Sequence, residues 1–153
     1  MAQHDATISW SSNDPAAFAK GQYSRAHEWR FDGGAVVPAS SSPSVVRPPW
    51  SDPAGVDPEE AFVASIASCH MLWFLDLARR EGHAPVNYED EANGTLEKCA
   101  DGKMRITRVT LRPRIAFAGE APDAAALDAL HHAAHDSCFI ANSITTEITI
   151  EPR

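Results

Sequence analysis

The hydrophobic and polar positions along the chain change their period several times, and each change predicts a different element. Residues 6–10 and 22–31 alternate apolar and polar side chains, as strands do when they bury one face. A third short strand over 35–38 follows Gly33-Gly34, which is a hairpin turn signal. Residues 39–56 are too rich in serine and proline for regular structure, so we expect an ordered loop there.

Residues 57–80 predict one long helix with clear signals at both ends. Asp57 is a favourable N-cap, Pro58 suits the first helical position, and Glu60 completes a capping-box pattern. Two arginines and then Gly82 mark the end of the helix. Residues 61–75 are apolar on nearly every side, so more than one surface must cover them, and a partner chain is a natural source of cover. The run is shorter than the ~20 residues of a membrane span, which favours a buried helix.

The second half of the chain predicts two strands, a second helix and a final strand. The predicted ranges are 86–96 and 105–117 for the strands, with a turn at 100–103, then 124–137 for the helix and 145–150 for the last strand. The order β-β-β-α-β-β-α-β is typical of an α+β fold, with antiparallel sheets around two packed helices. We expect a single domain over residues 1–153, in which residues 1–20 form an N-terminal arm and the first strand.

Charge and composition narrow the classes of partner. The net charge of −8 argues against nucleic acid or an anionic membrane surface as partner. The first residues lack a charged segment followed by an apolar core, so we expect no signal peptide. Three cysteines, an odd number, do not describe a structural disulfide framework and fit a reducing, cytoplasmic compartment. Nucleotide-binding and serine-hydrolase motifs do not occur in the sequence.

Cys69 and Cys138 are candidates for chemistry, although free cysteine is also a common core residue. Each lies in an apolar helical segment, and spacing alone does not show whether the two sulfur atoms meet. Glu59 either offsets the dipole of the long helix or belongs to a site. Glu59 and Cys69 are about 15 Å apart along a straight helix, so a site that uses both must be shared across a dimer. Arg25 and Arg30 are either solvated or serve to lower a thiol pKa and bind an anion.

A rival metal site is also possible in the second helix. His131 and His135 are one helical turn apart and Cys138 follows three residues later, so three ligand types share one face. Cys69 or His70 could supply a fourth ligand for zinc. Cys99 lies in a predicted turn and not in an apolar helical segment like those of Cys69 and Cys138, so it is not a candidate for this chemistry.

Two cysteine motifs resemble those of the OsmC/Ohr family of osmotically inducible and organic-hydroperoxide-resistance proteins. In that family a Pro-Glu pair opens a central helix and a cysteine follows ten residues after the Glu, which Pro58, Glu59 and Cys69 match in type and spacing. The second family motif is similar to C-F-I-A-N-S at residues 138–143. The resemblance covers most of the chain from about residue 20 onward. The segments F-D-G-G and S-S-S-P and the His-rich second helix indicate a divergent branch of the family.

The resemblance implies an intertwined homodimer and a thiol-dependent peroxidase that needs no cofactor. Cys69 would be the peroxidatic thiolate and Cys138 the resolving cysteine, with Glu59 and Arg25 completing the site and Arg30 as the second choice of arginine. The substrates would be organic hydroperoxides in preference to hydrogen peroxide. The reductant would be an external dithiol, such as a lipoyl protein or a low-molecular-weight thiol. The alternatives are a non-catalytic or metal-binding stress protein of the same fold that uses His131, His135 and Cys138, and a small-molecule-binding dimer whose cysteines only pack.

Overall fold

The structure is a computed structural model that covers residues 1–153. The chain forms two compact units, Met1–Ala61 and Phe62–Arg153. In chain order the elements are β1 (Ala6–Ser9), α1 (Pro15–Ala19), β2 (His27–Phe31), β3 (Val36–Ala39), α2 (Pro58–Arg80), β4 (Pro85–Asp90), β5 (Asn93–Lys98), β6 (Met104–Leu111), β7 (Pro113–Phe117), α3 (Ala124–Ser137), a 3-10 turn (Ala141–Ser143) and β8 (Glu147–Ile150). The predicted α+β class is confirmed.

The first unit contains an antiparallel sheet in the order β1-β2-β3 and an ordered loop after it. The predicted hairpin forms at Gly34, whose φ of 85° is a conformation that glycine adopts without strain. The loop lies against the end of β3, because the Val56 amide donates to the Pro38 carbonyl and the Ser40 hydroxyl accepts from the Asp52 amide at 2.9 Å. Gly55 allows this close approach, since a Cβ there would lie 2.9 Å from the Ala39 carbonyl carbon.

The short helix α1 was not predicted. The Asp14 carboxylate caps it by accepting from the Ala17 amide at 2.9 Å, and Pro15 occupies the first helical position. The same Asp-Pro signal opens α2, so the sequence does carry the information for α1. The hydrophobic pattern did not predict this helix because its five residues are too few to show a helical period.

The second unit contains two separate sheets, and each of the two long predicted strands is divided between them. β4 pairs with β7, whereas β5 pairs with β6, and β8 joins β6 in parallel. The predicted strand 86–96 breaks after Asp90, and the predicted strand 105–117 breaks at Arg112. The Arg112 amide donates to the Asp90 carboxylate at 2.6 Å, so one hydrogen bond connects the residues at which the two predicted strands are interrupted. The turn at 100–103 is confirmed, with the Cys99 amide donating to the Lys103 carbonyl.

Helix α2 begins as predicted. The Asp57 carboxylate accepts from the Glu60 amide at 2.7 Å, and the Glu60 carboxylate accepts from the Asp57 amide at 3.0 Å. This capping box satisfies two backbone groups that the first turn would otherwise leave unpaired.

The second unit has two hydrophobic clusters along α2. Toward the N-terminal half of the helix, Ile66 packs with Val109 and Leu111 of β6. Further along, Phe74 packs with Leu130 of α3, and side chains of β4 and β7 pack around this contact. The buried side chains of α2 recur at every fourth position: Ile66, His70, Phe74 and Ala78.

Part of the apolar surface of α2 is not covered within one chain. Leu72, for example, is 61% exposed. With 23 residues and a mean hydropathy of 1.6 over an 18-residue window, α2 is long and apolar enough to cross a membrane by length and composition, a test that the core helix of a soluble protein also passes. The prediction that this helix needs more cover than the chain supplies therefore agrees with its exposure.

Candidate active site

The two candidate cysteines meet between α2 and α3. Cys69 lies in the middle of α2, and Cys138 lies 69 residues later, directly after the last turn of α3. Their thiols are near enough to influence each other, because Cys69 contributes to raising the pKa of Cys138, and both are free. This contact is the one that the proposed chemistry needs and that sequence spacing left open.

The two thiols differ in environment. Cys69 is half-buried, whereas Cys138 is 1% exposed. Burial and then the neighbouring Cys69 thiol raise the pKa of Cys138 to about 11, and the Ala141 amide, which donates to the Cys138 sulfur at 3.3 Å, acts in the opposite direction. Cys138 is therefore a protonated thiol at neutral pH, behind a more accessible one.

Two aromatic rings flank the thiol pair. Trp73 lies one turn after Cys69 on α2, and Phe139 directly follows Cys138. Their ring centroids are 5.5 Å apart in an edge-on arrangement, and Phe139 is 71% exposed. A molecule that approaches the thiols from this side therefore meets an apolar, aromatic surface.

Arg25 and Glu59 are not joined by an ion pair. The Arg25 guanidinium donates to the carbonyls of Gly21 and Tyr23, at 3.1 and 2.6 Å, and lies 3.7 Å from the centre of the Tyr23 ring. Glu59 is half-buried in the first turn of α2 and takes no part in the capping box. Arg25 and Glu59, which the resemblance places in one site, therefore do not pair within one chain, and their roles in a site stay predictions.

Arg30, the second choice of arginine, has a different partner. It forms an ion pair with Glu28 at 2.8 Å, and its side chain is mostly exposed. An exposed pair of this kind contributes little to stability. Arg25 is the better placed of the two to be held rigidly, because its own backbone amide also donates to the Trp50 carbonyl at 2.8 Å.

A buried pair of histidines was not predicted from the sequence. His70 Nε2 and His131 Nδ1 are 3.1 Å apart, and the rings stack almost in parallel, with an interplanar angle of 11°. Burial is the main reason that the pKa of each is lowered to about 4. The signal in the sequence is the presence of a histidine within each of two apolar helices, which alone does not show that they face each other.

The alternative metal site lacks a ligand set. No group of three or more His, Cys, Asp or Glu side chains among residues 1–153 is arranged to hold a metal ion. His131 and His135 share a face of α3 as predicted, but Cys138 does not complete a cluster with them. The structure therefore does not support the metal-binding hypothesis.

Comparison with known proteins adds a family and a fold. A family model described as OsmC-like protein matches residues 51–153. A solved OsmC-like protein of unknown function from Vibrio cholerae is 48% identical, each chain covers 100% of the other, and the TM-score is 0.96. A search of curated proteins found no match.

Two more distant structures share the fold. The organic hydroperoxide resistance protein OhrB of Bacillus subtilis is 19% identical, with 99% of this chain and 98% of that one covered and a TM-score of 0.69. An organic hydroperoxide resistance protein OsmC from Legionella pneumophila is 14% identical, with 99% and 96% covered and a TM-score of 0.71. At these identities the likeness concerns the arrangement of elements, not the substrate.

Proposed function

Because the chain belongs to the OsmC-like protein family, we propose that it is a thiol-dependent peroxidase that reduces organic hydroperoxides. The observation that carries the proposal is the contact between a half-buried Cys69 thiol and a deeply buried Cys138 thiol. A buried pair of this kind, reached from one side, is the arrangement that a peroxidatic and a resolving cysteine require.

The reaction proceeds in two steps whose atoms balance. The thiolate of Cys69 attacks the distal oxygen of the hydroperoxide, the O–O bond breaks, and the alkoxide leaves with a proton as an alcohol, so that Cys69 becomes a sulfenic acid. Cys138 then attacks that sulfur, a disulfide forms, and water leaves. The difference in exposure supports this order, because a peroxide can reach Cys69 before it reaches Cys138.

The surroundings of the thiols favour an apolar substrate. The Trp73 and Phe139 rings give an alkyl or aryl group a surface to bury, and a hydrogen peroxide molecule has no such group. Phe74 lies in the same helix but is fully buried in the core, so it supports this surface without contacting a substrate. Hydrogen peroxide would therefore be a poorer substrate.

A second copy of the chain completes the site in this proposal. Glu59 is about 15 Å along α2 from Cys69, so the Glu59 that serves a given Cys69 would come from the other protomer. The uncovered apolar surface of α2 would supply much of the interface, as the intertwined homodimer expected from the sequence requires. Arg25 would then leave its resting contacts and pair with a carboxylate near the thiols, which holds its guanidinium toward the sulfur and peroxide.

Placing a charge on the exposed face of α2 should separate the protomers. We expect Leu72→Glu to shift the protein from dimer toward monomer, because Leu72 is 61% exposed in one chain and would be buried in the pair. Light scattering after size-exclusion chromatography measures the mass. Ala100→Glu, which adds the same charge in an exposed turn, is the matched control and should leave the dimer intact. A wild-type protein that runs as a monomer at all concentrations would contradict the shared site.

The disulfide formed in each cycle must be reduced from outside. We propose an external dithiol, either a lipoyl protein or a low-molecular-weight thiol, acting in the cytoplasm, where free thiols persist. Cys138 is buried although the next residue, Phe139, is exposed. Because Cys69 is only half-buried, such a reductant reaches the Cys69 sulfur first.

Counting native thiols before and after one equivalent of cumene hydroperoxide tests the function. We expect the loss of two thiols per chain, mapped by mass spectrometry to Cys69 and Cys138, while Cys99 stays reduced. Three unreacted thiols would instead support a non-catalytic protein whose cysteines only pack. Loss of Cys99 alone would show surface oxidation without a site.

A further inference from the structure

The segment that follows Cys138 folds back so that its backbone reaches the Cys138 sulfur. Cys138 ends α3 with an extended backbone, and the chain then forms the 3-10 turn Ala141–Ser143. The Ala141 amide donates to Cys138 Sγ at 3.3 Å. The sulfur of the proposed resolving cysteine therefore has a main-chain N–H donor from a residue three positions later.

Two exposed side chains hold this turn in place. The Asn142 side-chain amide donates to the Asp136 carbonyl, in the last turn of α3, at 2.8 Å. The Ser143 hydroxyl donates to the Phe139 carbonyl at 2.7 Å. Backbone hydrogen bonds close the same turn. The direction of the Ala141 N–H is thus fixed from α3 on one side and from within the turn on the other.

Cys69 has no comparable main-chain donor. It lies in the interior of α2, where each backbone N–H donates to the carbonyl four residues earlier. Cys138 lies at the end of α3, beyond which backbone amides are free to turn toward a side chain. The two sulfur atoms therefore differ in backbone surroundings as well as in exposure, since Cys69 is half-buried and Cys138 is buried.

The Ala141 donor opposes surroundings that disfavour a negative charge on Cys138. Burial and then the neighbouring Cys69 thiol raise the pKa of Cys138 to about 11. The C-terminal end of a helix dipole, where Cys138 lies, also disfavours an anion. The Ala141 and Ile140 amides act in the opposite direction and lower this pKa. A thiolate at position 138 therefore depends on the backbone of the turn for its stabilisation.

An N–H donor to sulfur has its largest effect when the sulfur carries charge. A neutral disulfide sulfur is a weak acceptor, whereas hydrogen bonds to ionised groups are roughly twice as strong as those between neutral groups. A hydrogen bond that strengthens as charge develops lowers the barrier of the step in which the charge appears. Cys138 gains charge when the Cys69–Cys138 disulfide opens and Cys138 leaves, and a thiol leaves faster when its pKa is lower.

We propose that the Ala141 main-chain N–H is a catalytic group in the reduction of the Cys69–Cys138 disulfide. It stabilises Cys138 as the leaving thiolate, and Asn142 and Ser143 are its positioning residues. This inference rests on the proposed function, in which that disulfide forms in every cycle. It adds a reason for the direction of the attack, because the more accessible sulfur, that of Cys69, is also the one whose partner is stabilised as it leaves.

The reductive step balances in atoms and electrons. One thiolate of the external dithiol attacks the Cys69 sulfur, and a mixed disulfide forms. The electron pair of the broken S–S bond stays on Cys138, which then takes up the proton that the reductant has released to water. The second thiol of the reductant attacks the mixed disulfide and releases Cys69. Two electrons pass from the dithiol to the two cysteines, and the reductant leaves as a disulfide.

Reduction of a disulfide prepared with diamide tests this step without any peroxide. Diamide takes two hydrogens and two electrons from a pair of thiols, so the preparation does not require peroxidase chemistry. We expect Ala141→Pro, which removes the N–H, to slow reduction by dithiothreitol about tenfold, the effect of one hydrogen bond to a charged group. Ala124→Pro is the matched control and should keep the wild-type rate, because it places proline at the first position of α3, where proline is well tolerated.

The equilibrium of the disulfide with dithiothreitol separates this function from damage to packing. Reduced Cys138 is a protonated thiol at neutral pH, so its ground state gains little from the donor. Ala141→Pro should therefore slow reduction and re-formation equally and leave the equilibrium constant within about twofold of wild type. An equilibrium constant that changes as much as the reduction rate overturns the proposal, and so does a reduction rate within about twofold of wild type.

Variants of the positioning residues decide the matter if Ala141→Pro does not fold. Asn142→Ala and Ser143→Ala remove exposed side chains, and each should slow reduction about threefold through the loss of one hydrogen bond. Ser143→Thr keeps the hydroxyl and should match wild type. A wild-type rate in the double alanine variant overturns the proposal. Wild-type protein that forms the disulfide with diamide but not with cumene hydroperoxide overturns the proposed function alone, and the rates of the diamide-prepared disulfide still test the donor.

Discussion

Replacing Cys69 with serine should reduce hydroperoxide turnover by at least about a thousandfold, because a serine hydroxyl at neutral pH cannot replace a thiolate as the attacking group. Replacing Cys138 with serine should have a different result. The first turnover proceeds at the wild-type rate, and the sulfenic acid of Cys69 then lacks its partner and is oxidised further to sulfinic acid. Single-turnover kinetics with cumene hydroperoxide and intact-protein mass spectrometry measure both effects.

Cys99→Ser is the matched control for this pair. Cys99 is a half-buried cysteine in the turn before β6, and its replacement should leave turnover unchanged. Turnover by Cys69→Ser at more than a few per cent of the wild-type rate would exclude Cys69 as the nucleophile. Sustained turnover by Cys138→Ser at the wild-type rate in the presence of a dithiol reductant, without accumulation of sulfinic acid, would exclude Cys138 as the resolving cysteine.

Phe74→Ala should lower the free energy of unfolding by about 3–5 kcal/mol, since it removes a large side chain from a close-packed core. Phe74 is fully buried, and its ring centroid lies 4.6 Å from that of His131 and 5.8 Å from that of Tyr88. It therefore joins α2 to α3 and to β4 at one point. Urea denaturation at one fixed protein concentration measures the change, so that any linkage to dimerisation is the same for each variant.

Val86→Ala provides the comparison for Phe74→Ala. Val86 is 65% exposed on β4, so its truncation should change the free energy of unfolding by no more than about 0.5 kcal/mol. A loss of less than 1 kcal/mol for Phe74→Ala would mean that the core between α2 and α3 rearranges easily. The thiol contact, which the same two helices maintain, would then not be held in place by this packing.

The strands show where sequence patterns stop being sufficient. Alternation over residues 86–96 and 105–117 correctly indicated extended chain, but it did not show that each stretch contributes to two sheets. The alternation of apolar and polar residues shows which side chains of a strand share a face, but it does not show which strands are neighbours in a sheet. The breaks at Asp90 and Arg112 depend on a hydrogen bond between residues 22 apart in sequence.

The site shows the same division. The capping box of α2 and the spacing of Glu59 and Cys69 could be predicted, because each depends on residues within one helix. Arg25 and Glu59 were expected in one site but do not pair within one chain, since the arginine instead stacks on Tyr23 and donates to two carbonyls. Bringing the Arg25 side chain to backbone acceptors within four residues costs less conformational entropy than bringing it to a distant carboxylate.

The sequence by itself determined where α2 and α3 begin, where the hairpin at Gly34 turns, and that two cysteines lie in apolar helices. These features depend on backbone hydrogen bonds and dihedral preferences over a few residues, which the local residue types set. Only the tertiary structure decided that Cys69 meets Cys138, that His70 meets His131, and that Leu72 of α2 stays exposed. The two contacts depend on how α2 and α3 pack across sixty or more intervening residues, and that packing is selected by the fit of whole surfaces rather than by any short run of residues.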